Sequence, residues 1–198
     1  MSVKPDLPRM RLKTRFHSRS GEKTPKQLAS VAAFIFWRLA EAAVTHMQHS
    51  DFTVAGRTQG IPMLSEYLVF MIQIADRLAF RRLDEEARRA FITELVLRLA
   101  GILEENQVEH LGGDSQTGYQ QQFIELFNRR APDYATFDFD PQEGPGFPFK
   151  RYLAMTLCDL ADPSDRSWIY DQVMEIEVPQ ALLTVNKALD DLYGPAPV

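Results

Sequence analysis

The sequence predicts an all-α fold, a single-domain bundle of about seven helices around a central buried helix over residues 61–82. Two observations support this class. Apolar residues recur at helical spacing through most of the chain after residue 23, and capping residues precede several of these segments. A chain of 198 residues can bury a substantial core as one domain. We therefore expect a basic N-terminal arm at residues 1–23, a helical bundle domain at 24–194 and a tail at 195–198.

Residues 1–23 are predicted to form an extended arm that contacts a partner. Pro5 and Pro8 disfavour a helix, and basic residues then alternate with mostly apolar ones, a period of two that suits an extended segment. A disordered tail is an equally consistent interpretation, because chain termini are often disordered. The residues of this arm expected to contact the partner are Arg9, Arg11, Lys13, Arg15 and Phe16.

The first helix is predicted to begin at a capping box. The hydroxyl of Thr24 can accept a hydrogen bond from the backbone N–H of Gln27, and the Gln27 side chain can reach back to the backbone of Thr24. Pro25 suits the first helical position, where its missing N–H has no partner to lose. The apolar spacing continues to about His49 and is broad enough to require neighbours on more than one side.

The central helix is predicted from an apolar surface that covers almost its whole circumference. Pro62 is interpreted as its first helical residue. Glu66, Gln73 and Arg77 form one thin polar line along an otherwise apolar helix. A helix that is apolar nearly all round is normally buried in a core, so its few charges should be held by other groups.

Five further helices complete the predicted bundle. Asp84 is the predicted N-cap of the third helix, which reaches about Asn106 and carries acidic residues in its first turn, where the helix dipole favours them. The remaining helices are expected at 115–130, 149–161, 164–177 and 179–193. Residues 131–148 are expected to be the one long irregular stretch, with its aromatic residues packed against the core.

Charge and cysteine content favour a cytoplasmic protein without a membrane span. The net charge of −5 combines about +6 in residues 1–26 with about −11 in the rest, and an anionic body makes nucleic acid an unfavourable partner. The single cysteine, Cys158, excludes a disulfide within the chain. The N-terminus lacks the apolar segment of a secretory signal, and charged residues interrupt the apolar run of the central helix.

Polar residues at two places are the candidates for a ligand or metal site. His46 and His49 lie on the same helix face, with Asp51 just beyond them, so that their side chains could converge on one cation. The Glu-x-x-His and His-Glu-x-x-His patterns of helical metal sites are absent, so we predict no metal and no cofactor. Charged residues in the central helix could line a polar pocket, or Asp76 could pair with an arginine of a neighbouring helix.

We expect a non-enzymatic cytoplasmic protein that mediates protein–protein interaction. It should associate with itself, as a homodimer, or bind another protein. The broad apolar surfaces of the first two helices suggest a subunit interface. No catalytic residue is identified, because the glycine-rich and nucleophile motifs are absent. One alternative is a nucleic-acid-binding regulator that uses the basic arm. Another is a small-ligand or metal-binding bundle, an enzyme or a sensor, with a site among His46, His49, Asp51, Glu66 and Asp76.

Overall fold

Six continuous helices make up most of the computed structural model, which describes residues 24–49, 56–111, 118–140 and 143–194. The prediction of an all-α fold is confirmed. The helices are α1 (Pro25–His49), α2 (Gly56–Ala79), α3 (Glu85–Leu111), α4 (Tyr119–Ala135), α5 (Phe147–Leu160) and α6 (166–193). In the described residues the only β-structure is the antiparallel pair β1 (Phe139–Asp140) and β2 (Gly144–Pro145).

Helix α6 accounts for the difference between six helices and the predicted seven. Two helices were expected, separated before Pro179, but Arg166–Gln172 and Val178–Tyr193 are joined by a π-helical turn at Val173–Glu177. In this turn the backbone N–H of Val178 donates to the carbonyl of Val173, five residues back. A proline cannot donate the usual helical hydrogen bond, and its ring crowds the preceding turn. The wider turn accommodates Pro179 without ending the helix.

Helix α2 is the centre of the fold, as predicted. Every residue from 63 to 75 is buried, and α2 contacts each of the other five helices. The predicted start was wrong, because the helix begins at Gly56 and Pro62 lies inside it. Pro62 falls within the first two turns, where the loss of one backbone hydrogen bond is offset by the burial of the residues that follow.

Both predicted N-terminal caps are present. At α1 the backbone N–H of Thr24 donates to Gln27 Oε1 over 3.0 Å, and the N–H of Gln27 donates to Thr24 Oγ1 over 3.3 Å. At α3 the N–H of Ala87 donates to Asp84 Oδ1 over 2.8 Å. These contacts satisfy backbone donors that the first turn of a helix leaves unpaired.

The stretch predicted to be irregular at 131–148 is helical at its beginning. Helix α4 continues to Ala135 with Pro132 inside it, and the short β1–β2 pair follows, with Gly144 at a φ of 86° that favours glycine. The aromatic residues pack inward, as expected: the rings of Tyr134 and Phe139 lie 4.8 and 5.8 Å from that of Phe149. The buried Tyr134 side chain explains why α4 extends beyond its proline.

Helix α1 is long and apolar enough to cross a membrane on length and composition alone. The window Pro25–Met47 has a mean hydropathy of 1.5, and 50% of it is buried against the rest of the protein. A core helix of a soluble protein meets the same criteria. The predicted arm at 1–23, with Arg9, Arg11, Lys13, Arg15 and Phe16, lies outside the described residues, as does the tail at 195–198.

Candidate functional site

The two carboxylates of α2 that were predicted to share a ligand site lie in separate places. Glu66 pairs with Arg130 of α4, whereas Asp76 pairs with Arg88 of α3. The two residues are ten positions apart, which corresponds to about 15 Å along a helix. The pairing of Asp76 with an arginine of a neighbouring helix is the structural interpretation given to this residue from the sequence.

The histidine candidate whose side chain the structure describes lies elsewhere. His46 Nδ1 is 3.5 Å from Oε1 of Glu177, at the π-helical turn of α6. The side chain of His49 and all of Asp51 lie outside the described residues. Within the part of the chain that the structure describes, no three histidine, cysteine, aspartate or glutamate side chains are arranged to hold a metal ion.

The Glu66–Arg130 pair is the most deeply buried ion pair of the described residues. Arg130 donates from Nη2 to Glu66 Oε1 over 2.7 Å and from Nε to Oε2 over 3.0 Å, while only 7% of the Glu66 side chain is exposed. Arg130 Nη1 donates to the hydroxyl of Tyr152 over 2.9 Å, and that hydroxyl donates to Asp133. The hydrogen bonds to Glu66 raise the pKa of Arg130. This network holds α4 to α2 and α5.

A cleft of about 740 Å³ lies between the last turns of α2, the beginning of α3 and the end of α4. Its polar lining consists mostly of guanidinium and carboxylate groups. Arg88 Nη1 donates to Asp76 Oδ1 over 2.7 Å, and Arg77 Nη2 donates to the backbone carbonyls of residues 134 and 135, each over 3.2 Å. The charged residues of the lining are Asp76, Arg77, Arg81, Glu85, Arg88 and Arg89. We call this surface the arginine cleft.

The arginine cleft combines positive charge with apolar surface. Four arginines and two carboxylates leave it a surplus of two positive charges, although the chain outside residues 1–26 carries about −11. Phe80 is 70% exposed, and the guanidinium carbon of Arg88 lies 5.5 Å from the centre of its ring. Ile92, Phe127 and Phe139 add apolar lining. Such a cleft suits the side chains of an acidic and partly apolar ligand.

The π-helical turn places a carboxylate in the interior. Glu177 is fully buried, its Oε1 accepts from Gln172 Nε2 over 2.9 Å, and its Oε2 has no hydrogen-bond partner. Its backbone carbonyl accepts from the hydroxyl of Tyr67 over 2.6 Å. Burial, and then the nearby Glu177 carboxylate, raise the pKa of Tyr67.

The sequence analysis missed Arg130, Arg88 and Glu177. Arg130 lies at the end of the predicted fourth helix, and no spacing relates it to Glu66, which is 64 positions away in the chain. Arg88 follows Asp76 by twelve positions across the short turn between α2 and α3, and this closeness could have identified it as the partner of Asp76. The chain matches no protein-family model, no curated protein and no solved structure.

Proposed function

We propose that this protein is a non-enzymatic helical protein of the cytoplasm that binds another protein, and that the arginine cleft receives an acidic, partly apolar segment of that partner. The observation that carries the proposal is the concentration of four arginines and an exposed phenylalanine around one cleft, although residues 27–198 carry a net charge of about −11. Arginine and aromatic residues are enriched among the side chains that contribute most to protein interfaces.

The chemistry of the cleft supports binding. Guanidinium groups stay protonated at all physiological pH values, so they act as donors to carboxylates and not as acids or bases. Asp76 is occupied by its hydrogen bond to Arg88. The net positive charge of the cleft attracts an acidic segment, whereas residues 27–198 as a whole carry about −11, which favours docking at the cleft over the rest of this region.

A symmetric dimer through the arginine cleft is unfavourable, because it would bring the arginines of two copies together. The expected self-association therefore needs another surface. The apolar surface of α2 is covered within one chain, which removes one of the two reasons for expecting a subunit interface. On α1, Val31 and Phe34 are only partly buried and lie three positions apart on one face, so this face is the second candidate interface.

A displayed library of random peptides tests the first proposal. We expect selection against the wild-type protein to enrich peptides in which aspartate or glutamate flanks an apolar residue. Synthetic peptides of this kind should bind about tenfold more weakly, or worse, to Phe80→Ser and Arg81→Glu variants, because each change removes a lining side chain that offers an apolar or a cationic contact. Leu183→Ser is the matched control, since Leu183 is 73% exposed and does not line the cleft.

Two results contradict this assignment. One is a set of selected peptides without acidic residues, and the other is equal binding to the cleft variants and the Leu183→Ser control.

Light scattering on the full chain tests self-association separately. A wild-type dimer that becomes a monomer in the Phe34→Glu variant supports the α1 face as the subunit interface. A wild-type protein that is monomeric at 100 µM or so excludes a stable dimer of the affinity usual for such interfaces.

A further inference from the structure

A second cavity, of about 350 Å³, lies between the first half of α2, the later part of α3 and the beginning of α4. Its wall is mostly apolar and includes Ile61, Leu103, Phe123 and Leu126. The volume lies within the range of cavities that hold small molecules. We call it the α2–α4 cavity.

One buried polar group of the α2–α4 cavity lacks a partner. Gln107 lines the cavity, is 2% exposed, and its Oε1 makes no hydrogen bond. By contrast, Glu66 and Arg130, which also line the cavity, satisfy each other. An unpaired buried acceptor costs free energy, and the terminal torsion of glutamine is soft enough for this oxygen to turn toward a donor in the cavity.

The cavity opens where its lining residues are exposed, at Pro62, Gln122 and Arg129. Its buried lining includes Leu103 and Gln107. The polar features are therefore placed at two ends: an acceptor at the closed side and a cation at the opening. The rest of the lining is mainly apolar, and its charged members Glu66 and Arg130 are paired with each other.

We propose that the α2–α4 cavity is a binding site for a small apolar molecule that carries a hydrogen-bond donor at one end and an anionic group at the other. The donor end binds Gln107 Oε1, the apolar body contacts Leu103 and Phe123, and the anion lies beside Arg129 at the opening. This site is separate from the arginine cleft and shares no lining residue with it. The proposal therefore stands or fails independently of the proposed partner.

Two aromatic acids of similar size form a suitable pair of probes for calorimetric titration. Indole-3-acetate has a ring N–H donor and a carboxylate, and 1-naphthylacetate has the same carboxylate on a ring without a donor. We expect indole-3-acetate to bind the wild-type protein about threefold to tenfold more tightly, the range that one neutral hydrogen bond provides. The Gln107→Leu variant should bind both acids equally.

Variants at the opening and inside the cavity complete the test. Arg129→Glu, at an exposed position where folding is not at risk, should weaken both probes at least threefold. Leu103→Trp should fill the cavity and abolish binding, whereas Phe80→Ser, in the arginine cleft, should leave both affinities unchanged. The proposal is overturned if neither acid binds below 10 mM or so, if Gln107→Leu keeps the preference for indole, or if Arg129→Glu has no effect.

Discussion

Removal of Arg130 should destabilise this protein far more than an exposed ion pair does. In an Arg130→Met variant the Glu66 carboxylate, with 7% of its side chain exposed, would lose a bidentate partner. An uncompensated buried charge of this kind costs about 3–5 kcal/mol. For a domain of this size each kcal/mol lowers the melting temperature by about 2–4 °C, so a fall of roughly 6–20 °C is expected.

The double variant Glu66→Leu/Arg130→Met separates two quantities: the net contribution of the ion pair to the free energy of unfolding, and the cost of leaving one of its charges unpaired. With both charges replaced by apolar side chains, the free energy of unfolding should return to within about 1–2 kcal/mol of the wild-type value. The double variant should thus be more stable than Arg130→Met. Urea unfolding followed by circular dichroism gives all the required free energies.

Arg89→Met is the matched control. Arg89 pairs with Glu85 over 2.7 Å, a distance equal to the Arg130–Glu66 separation, but both of these side chains are 75% exposed. Its loss should cost less than about 0.5 kcal/mol, because water and salt screen exposed pairs. Equal destabilisation by Arg130→Met and Arg89→Met, or a double variant no more stable than Arg130→Met, would refute the reasoning.

Three further predictions concern stability. Glu177→Gln should leave the free energy of unfolding unchanged or raise it by about 1 kcal/mol, because it removes the charge from a buried carboxylate with an unpaired oxygen. A loss above 1 kcal/mol or so, measured by urea unfolding, would contradict this prediction. Burial raises the pKa of Tyr193 to about 12 and also raises that of Tyr67, so the folded state retains phenolic protons that the unfolded chain releases near pH 10. This contribution to the free energy of unfolding should be fully present below pH 10 or so and should be lost between about pH 10 and 12. The loss should be less steep in the Tyr193→Phe variant, as measured by urea unfolding at each pH. Asp84→Ala should cost about 1 kcal/mol and Asp84→Asn much less, since asparagine also caps, and equal effects in thermal melts would exclude the cap as the cause.

Local rules predicted the starts of α1 and α3 and the identity of the central helix. The caps at Thr24 and Asp84 depend on residues three positions apart, and the burial of α2 follows from its own apolar circumference. Three of the errors involve a proline that was expected to begin or to end a helix: Pro62, Pro132 and Pro179 all lie inside helices. Proline removes one hydrogen bond, and tertiary burial or a π-helical turn compensates for it, which no local rule includes.

The candidate site was less predictable, because its contacts join distant parts of the chain. Glu66 was a candidate from its place in an apolar helix, but its partner Arg130 is fixed by how α4 packs on α2. The same holds for His46 and Glu177, which are brought together only when α6 packs beside α1. Charge at a buried position indicates that a partner exists, whereas the packing of helices decides which residue it is.

The polar line of α2 borders both cavities. Glu66 binds Arg130, Arg77 binds two backbone carbonyls at the end of α4, and Gln73 between them borders the arginine cleft. Helix α4 is therefore attached to the core by polar contacts at two points and buries only two of its side chains, those of Phe123 and Tyr134. The two cavities lie beside these contacts, between α2, α3 and α4.

Helix α4 should consequently open more readily than α2. Few buried apolar contacts lower the free energy of local unfolding, so the backbone amides of α4 should exchange with deuterium at a lower free energy than those of residues 63–75, where every side chain is buried. Arg130→Met should widen this difference, because it releases one of the two attachment points. Exchange followed by mass spectrometry at peptide resolution measures both effects. If α2 and α4 exchange together through global unfolding alone, α4 is as firmly packed as the core, and this prediction is wrong.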